Sequence, residues 1–170
     1  MTLQVSLNDV GMVEVVRCFP EYAADHLEGA LAQAAGSGDL DLARTLLDFG
    51  ASPDHSSSSP LGLAARAGHL EMVRLLIARG ATVDLLDSRS RTPLTLAVNA
   101  SHTEVALELI AAGAELNTEY ETFAPAVLST ASRKGLAEVV RAMLAAGASA
   151  AHVGRDDNTA LHEASRAGHV

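Results

Sequence analysis

The sequence predicts an all-α solenoid built from stacked helix-turn-helix units. The main observation is a repeat: similar apolar helical segments recur along the chain, and a glycine follows the last apolar pair of each. A shorter helical segment precedes each one. The turn residues between the paired segments are 30, 33, 34 and 33 residues apart: Gly38, Gly68, Ser101, Gly135 and Gly168. This regular spacing is typical of a solenoid in which each unit is one helix pair.

The composition favours thin, closely stacked helices over a bulky globular core. Of the 170 residues, 48% are hydrophobic, but only 3% are aromatic and tryptophan is absent. Alanine and leucine supply most of the apolar content, and both are strong helix formers. One unit cannot bury its apolar face alone, so neighbouring units must stack to build a continuous core.

The boundaries of the helices carry the expected signals. Pro60 and Pro93 stand in the first turn of their helices, where a missing N–H costs nothing. Ser59, Thr92 and Thr159 directly precede that turn and are predicted N-caps. A left-handed C-cap favours glycine after each second helix, at Gly50, Gly80, Gly113 and Gly147. Small pairs let neighbouring helices approach, and large pairs fill the space between layers: Ala34-Ala35, Ala64-Ala65, Leu46-Leu47, Leu75-Leu76, Leu109-Ile110 and Met143-Leu144.

These segments resemble the ankyrin repeat, whose hallmark reads roughly TPLHLAAxxGH followed by LEVVxLLLxxGADVN. The match is explicit in PLGLAARAGHLEMV at 60–73, and it recurs in TPLTLA at 92–97 and TALH at 159–162. The resemblance covers about residues 27–170. It implies an ankyrin-repeat solenoid with short β-hairpin connectors, in which about four repeats are full and the fifth is truncated after its first helix.

The two ends of the chain and three internal positions depart from this pattern. Residues 1–26 are expected to form an N-terminal capping helix or a degenerate repeat, and Gln33, where leucine is usual, suits an outer repeat with a solvated face. The first connector is three residues short and is predicted to be tight, without a full hairpin. The third carries one extra residue near Phe123. Because the fifth repeat stops at Val170, we expect the chain to be a fragment of a longer array or multidomain protein.

No catalytic, nucleotide-binding or metal-binding motif is present. The sequence contains no GxGxxG, GxxxxGK[ST], HExxH or GxSxG, and Cys18 is its single cysteine. The resemblance implies that the His162 ring bonds the Thr159 hydroxyl. It also implies that the turn histidines bond the backbone of a neighbouring loop: His69, His102 and His169. We therefore expect no enzyme activity, no cofactor, no metal site and no small-molecule substrate.

Charge and hydropathy narrow the choice of partner and compartment. A net charge of −9 argues against non-specific binding to nucleic acid or to anionic membranes. The first ten residues lack the basic flank and apolar run of a signal peptide, and no stretch reaches the roughly 18 consecutive apolar residues that span a bilayer. We expect a protein of the cytoplasm, with the nucleus as the alternative.

The resemblance also implies a binding face, because ankyrin domains usually bind partners with their connector tips and the exposed positions of their first helices. The matching positions are Arg66, Leu86, Ser88, Arg89, Arg91, Asn99, Tyr120, Phe123, Arg133, Lys134, Arg155 and Arg166. Seven of the twelve basic residues belong to this set, whereas many acids belong to the second helices. The sequence thus predicts a groove more positive than the back of the array, with Tyr120 and Phe123 as apolar anchors. The alternative is that the arginines are ordinary solvated residues and that Phe123 folds back over its connector.

The favoured function is a protein–protein interaction module, either a scaffold or a recognition domain. Its expected partner is another protein, including one with an acidic patch. Two alternatives use the same groove: a dedicated inhibitor or antitoxin-like binder that occludes one enzyme, and the ankyrin part of a larger multidomain protein. Nucleic-acid binding is a minor option, and an enzyme lacks any supporting motif.

Overall fold

The structure, a computed structural model, describes residues 20–54, 59–117, 127–151 and 158–169, with side chains from residue 27 onward. All regular secondary structure in these residues is helical. The helices are α1 (Pro20–Ser37), α2 (Leu40–Asp48), α3 (Pro60–Ala67), α4 (Leu70–Ala78), α5 (Pro93–Ala100), α6 (Thr103–Ala111), α7 (Val127–Arg133), α8 (Ala137–Ala145) and α9 (Ala160–Arg166).

The helices form successive antiparallel pairs that stack into one array. The first helices of the repeats, α1, α3, α5, α7 and α9, pack in that order against one another. The second helices α2, α4, α6 and α8 pack in a parallel row, and each also contacts the first helix of its own repeat. This arrangement confirms the predicted all-α solenoid of helix-turn-helix units.

The predicted N-caps close the starts of the first helices. The Ser59 hydroxyl accepts the Gly62 N–H at 3.0 Å, and the Thr92 hydroxyl accepts the Thr95 N–H at 3.1 Å. Each cap satisfies a backbone donor that the helix itself leaves unpaired. Both helices then begin with proline as their first residue, as the sequence predicts.

The core is a single apolar cluster that runs from α1 to α8, and Ala160 of α9 packs against it partly buried. Small residues line the contacts between first helices, where the side chains of Ala35, Ala65 and Ala97 are fully buried. Large residues of the second helices, such as Leu76 and Leu109, fill the space behind them. Alternating small and large residues let the layers approach closely without voids, which is why the array needs so few aromatics.

Carboxylate and amide side chains link the ends of successive repeats. Asp84 accepts the backbone N–H of Glu115 at 3.0 Å, and Asn117 accepts that of Ser149, also at 3.0 Å. Asp54 forms the equivalent link in the preceding repeat, where it accepts the backbone N–H of Thr82 at 2.8 Å and also its hydroxyl. These bonds fix the relative position of neighbouring connectors.

The connector at 81–92 is the one between complete helix pairs that is described throughout. The Asp87 N–H donates to the Arg91 carbonyl at 3.0 Å, and Ser90 takes a positive φ of 56°. This turn reverses the chain, but the two arms share no further backbone hydrogen bond of a ladder. The hairpin connectors implied by the ankyrin pattern are therefore reduced here to a turn, and none of the described residues lies in a β-strand.

The first helix is longer than those of the later repeats. It begins at Pro20 and contains 18 residues, so it runs through the boundary expected between residues 26 and 27. No proline follows Pro20 within this helix, so no residue near the expected boundary removes a helical hydrogen bond. Gln33 on this helix is exposed, as expected for an outer repeat. The expected N-terminal capping or degenerate repeat lies mostly in residues 1–19, outside the described residues.

Candidate protein-binding surface

One exposed residue marks the same position near the end of each of four first helices. Arg66, Asn99, Arg133 and Arg166 are all exposed, and they follow one another at intervals of 33, 34 and 33 residues. Since the first helices stack side by side, these four residues form a row along the array. We call Arg66, Asn99, Arg133 and Arg166 the helix-end row.

The turn histidines support this row from the next repeat. Nε2 of His102 lies 3.1 Å from the carbonyl oxygen of Arg66, and Nε2 of His69 lies 3.3 Å from that of Gly36. The expected bonds from His69 and His102 to the backbone of a neighbouring repeat are therefore confirmed. His169 also lies against the preceding repeat, since a Cβ atom at Gly135 would come within 2.7 Å of its ring. Each histidine holds the end of a first helix in register with the following repeat.

The histidine at the start of the last described helix behaves as the TALH motif implies. Nδ1 of His162 lies 2.8 Å from the Thr159 hydroxyl, and it also lies 3.4 Å from the Thr159 N–H. Together with the helix backbone these bonds form a capping box. His162 thus stabilises the start of α9.

Asp87 organises the turn that faces the helix-end row. Its Oδ1 accepts the backbone N–H groups of Arg89 and Arg91, at 2.8 and 2.9 Å. Its Oδ2 accepts Nε and Nη2 of Arg91, at 2.9 and 2.7 Å. Burial alone would raise the pKa of the Asp87 carboxyl group, but the hydrogen bonds from Arg91 and Arg89 and the charge of Arg91 hold that pKa below its usual range. The carboxylate therefore keeps the turn in one conformation.

The turn and the end of α3 enclose an open cleft of about 280 Å³. Four of the residues predicted for partner binding line it together: Arg66, Ser88, Arg89 and Arg91. Leu63, Leu96 and Gly62 supply its apolar part. The structure thus brings together residues that are more than 20 positions apart in sequence, and we call this site the Arg66–Arg89 cleft.

The other predicted site residues are placed separately. Leu86 is one of the few large apolar side chains exposed in the described part, and it does not line the cleft. Lys134 donates from Nζ to the Ser101 hydroxyl at 3.1 Å. Nε of Arg133 lies 3.9 Å from a carboxylate oxygen of Glu163, a loose ion pair. Three predicted residues lie outside the described residues: Tyr120, Phe123 and Arg155.

Two arginines on the second-helix side are paired with carboxylates of neighbouring repeats. Arg74 pairs with both Glu108 and Glu71 at 2.8 Å, and Arg79 pairs with Asp48 at 2.8 Å. The hydrogen bond and charge of Glu108, with a smaller contribution from Glu71, raise the pKa of the Arg74 guanidinium above its ordinary value even though desolvation opposes them. These arginines are therefore engaged within the protein.

Three cations of the predicted binding face make no ion pair with a described carboxylate. The guanidinium groups of Arg66, Arg89 and Arg166 make no ion pair with any described residue, and all three side chains are exposed. Acidic residues such as Glu71, Glu104 and Glu138 lie on the second helices, as the sequence predicts. The free positive charge of the described repeats therefore lies mainly at the first-helix side.

Some residues that shape the site were not singled out from the sequence. Asp87 is the clearest case, although an aspartate that opens the stretch Asp-Ser-Arg-Ser-Arg at 87–91 is a recognisable turn signal. Gly62 is another such residue, and the signal that could have identified it is its position, where the ankyrin hallmark has histidine.

Among the described residues, no three histidine, cysteine or acidic side chains gather as a metal site would require. No described helix has the length and hydropathy needed to cross a membrane.

The fold, the caps and the histidine contacts together define a helical-repeat protein. A family model of ankyrin repeats, in three copies, matches residues 31–120, which is more than half of the chain. This chain therefore belongs to the ankyrin repeat family, and the predicted resemblance is confirmed. Ankyrin repeats are generally protein–protein interaction modules, and proteins of the family are typically scaffolds without enzyme activity.

Two relatives share parts of the array. Protein FPV240 of Fowlpox virus (strain NVSL), whose name refers to ankyrin repeats, is 34% identical over 90 residues, which is 49% of this chain and 22% of that protein. Dynein axonemal heavy chain 12 of Bos taurus is 40% identical over 60 residues, 35% of this chain and 17% of that protein. The chain thus spans about a fifth of the length of each relative.

Proposed function

We propose that this chain binds another protein through its first-helix side, and that the partner presents acidic groups to the helix-end row and the Arg66–Arg89 cleft. The observation that carries the proposal is the contrast between the two sides of the array. On the second-helix side, Arg74 and Arg79 pair with carboxylates of the protein itself, and Arg141 is the described arginine there that makes no ion pair. On the first-helix side and its connector, three described arginines make none: Arg66, Arg89 and Arg166. An unpaired, exposed arginine offers a partner carboxylate a planar set of donors without first breaking an ion pair within the protein.

The charge of the whole chain favours a protein over a nucleic acid as the partner. A net charge of −9 repels a polyanionic backbone at long range, whereas an acidic patch on a protein is a smaller and local charge. The same argument disfavours an anionic membrane surface. The Arg66–Arg89 cleft has a volume of about 280 Å³, which suits one side chain of a partner better than a complete small-molecule substrate.

We further propose that the chain is not an enzyme and that it works in the cytoplasm, with the nucleus as the alternative. The family is typically non-enzymatic, which supports the first statement. The second rests on the single cysteine, Cys18, because a lone thiol cannot form an intramolecular disulfide that an oxidising compartment would maintain.

The test uses the 170-residue chain as an affinity bait and measures the dissociation constant of the protein it captures. Arg133→Gln combined with Arg166→Glu removes two cations from the helix-end row; glutamine is chosen at 133 because a glutamate there would face Glu163. We expect binding to weaken by about tenfold or more, with little change in melting temperature.

The matched control changes the same charge on the other side of the array. Arg44→Gln combined with Arg141→Glu alters two exposed arginines of the second helices α2 and α8. This variant is expected to bind as the parent chain does. Equal affinity of the parent and the Arg133→Gln, Arg166→Glu variant would refute the proposed binding face.

A further inference from the structure

The Arg66–Arg89 cleft is lined by a glycine at a position that carries a side chain in two later repeats. The third residue of a first helix is Thr95 in α5 and His162 in α9, and each bonds to the hydroxyl of its N-cap threonine, at 2.9 and 2.8 Å. In α3 the equivalent residue is Gly62, and only its backbone N–H remains to bond the Ser59 hydroxyl. No side chain therefore projects from this position into the cleft.

Packing also disfavours a side chain at Gly62. A Cβ atom there would stand 3.2 Å from Cδ1 of Leu96 and 3.2 Å from the Ser59 hydroxyl oxygen. The neighbours would have to move by a few tenths of an ångström to admit it. The opening at Gly62 is lined by the buried residues Ser59 and Leu96 and by residues of the turn at 87–91.

The electrostatics of the cleft leave two cations available to a ligand. Asp87 and Arg91 both line it, but they neutralise each other through the paired contacts at 2.7 and 2.9 Å. Arg66 and Arg89 line the same cleft, and their guanidinium groups make no ion pair with any described carboxylate. Their combined charge is not cancelled locally, so an anion that enters meets two donor forks.

We infer that this cleft seats one carboxylate side chain, that of a glutamate or an aspartate, from an acidic segment of the partner protein. The assignment rests on the proposed function, since the segment belongs to the partner that the face binds. A planar carboxylate offers two oxygens to the two guanidinium groups, and Leu63 and Leu96 offer apolar contact to the methylene stem that carries it.

The probe is N-acetyl-glutamate amide, titrated at constant ionic strength into the isotopically labelled 170-residue chain. The arginine Nε–Hε resonances report each guanidinium separately. We expect saturable shifts at Arg66 and Arg89, and little change at Arg141 and Arg166, which are exposed but lie outside the cleft. The neutral analogue N-acetyl-glutamine amide is expected to leave all four resonances unchanged.

Single substitutions assign the effect to the cleft. Arg66→Gln and Arg89→Gln are each expected to weaken binding of the probe by roughly fivefold or more, since each removes one charged donor at an exposed site. Arg141→Gln is the matched control, because it removes an exposed arginine from a second helix. That variant is expected to bind the probe as the parent chain does.

Two outcomes would overturn the inference. Equal shifts at all exposed arginines would mean that the probe only screens surface charge. Shifts at Arg66 and Arg89 with inorganic phosphate, but not with N-acetyl-glutamate amide, would assign the cleft to a different anion. Neither result touches the proposed binding face, which is tested separately by Arg133→Gln with Arg166→Glu and fails only if that pair leaves capture unchanged.

Discussion

The imidazole ring of His102 lies so close to Gly68 that a Cβ atom on that glycine would stand 2.6 Å from Cε1 of the ring. Gly68 has a φ of 80°, in the left-handed region, so glycine is favoured there for two independent reasons. Nε2 of the same ring lies 3.1 Å from the carbonyl oxygen of Arg66. One side chain therefore joins two repeats and fixes the end of α3, where the Arg66–Arg89 cleft begins.

This relationship predicts a large penalty for Gly68→Ala. We expect the free energy of unfolding to fall by about 2–4 kcal/mol, because the left-handed backbone costs alanine about 1–2 kcal/mol and the Cβ contact with His102 adds overpacking. Urea unfolding followed by helical circular dichroism measures it. Gly80→Ala is the matched control, since Gly80 has a φ of 87° but nothing within 4 Å of a Cβ atom. Equal losses for the two variants would mean that the His102 contact adds no energy.

At the junction between the next two repeats, both the turn glycine and the histidine that packs against it are replaced. Ser101, with a φ of 64°, replaces the turn glycine, and Leu136 replaces the histidine that would lie against it. A histidine ring at 136 would meet the serine Cβ, as the close approaches at Gly38, Gly68 and Gly135 indicate. The Ser101 hydroxyl instead accepts a hydrogen bond from Lys134.

A double-mutant cycle tests whether these two residues are coupled. Leu136→His alone is expected to destabilise the chain, because the ring collides with Ser101. Combining it with Ser101→Gly is expected to restore the usual contact, so that the two changes together are less harmful than their sum by about 1 kcal/mol or more. The midpoints of urea unfolding of the four proteins give the coupling energy. Additive effects would show that the paired departure from the pattern is coincidental.

Local sequence signals were enough to predict the fold of this chain. A cap, a glycine or a turn histidine acts within its own repeat or on the repeat beside it, so its meaning follows from the 33-residue register. Ser59, Thr92, His69 and His102 all make the contacts that this register implies. The register also placed the exposed end of each first helix correctly.

The sequence alone predicted the free charges of the proposed binding face less completely, because these depend on which charges neutralise each other in space. Arg74 meets Glu108 across 34 positions and Arg79 meets Asp48 across 31, pairings that no local motif marks. The predicted asymmetry of charge did not distinguish Arg91 from Arg89. Arg91 forms an ion pair with Asp87, whereas Arg89 makes no ion pair with a described residue. Only the packed array shows which cations remain available.

The carboxylate of Asp87 is expected to make part of the stability depend on pH. Its pKa is lower in the folded chain than in the unfolded chain, so the unfolded chain binds more protons as the pH falls. The stabilisation is therefore complete above the ordinary aspartate pKa of about 4 and is lost as the pH falls through the lower, folded value. Asp87→Asn is expected to lower the free energy of unfolding by about 1 kcal/mol at neutral pH and by less in acid.

The measurement is the difference in free energy of unfolding between the parent chain and Asp87→Asn, followed from neutral pH into the acid range. Taking the difference cancels the contributions of the other carboxylates. Arg91→Gln removes the partner of Asp87 and keeps the carboxylate. In an Arg91→Gln background, Asp87→Asn is expected to change the free energy of unfolding by less, and its effect is expected to depend less on pH. A difference that stays constant with pH would contradict the assigned role of Asp87.

The hydroxyl of Ser129 is buried in α7 and, among the described residues, finds no hydrogen-bond partner. Burying a hydroxyl without a partner costs stability, so Ser129→Ala is expected to raise the free energy of unfolding by about 1 kcal/mol. Ser59→Ala is the matched comparison with the opposite sign, because the buried Ser59 hydroxyl caps α3 and its loss is expected to cost about 1 kcal/mol. Urea unfolding of the two variants measures both, and a loss of stability in Ser129→Ala would show that its hydroxyl is satisfied after all. A gain would mean that serine is kept in α7 for a reason other than the stability of the fold.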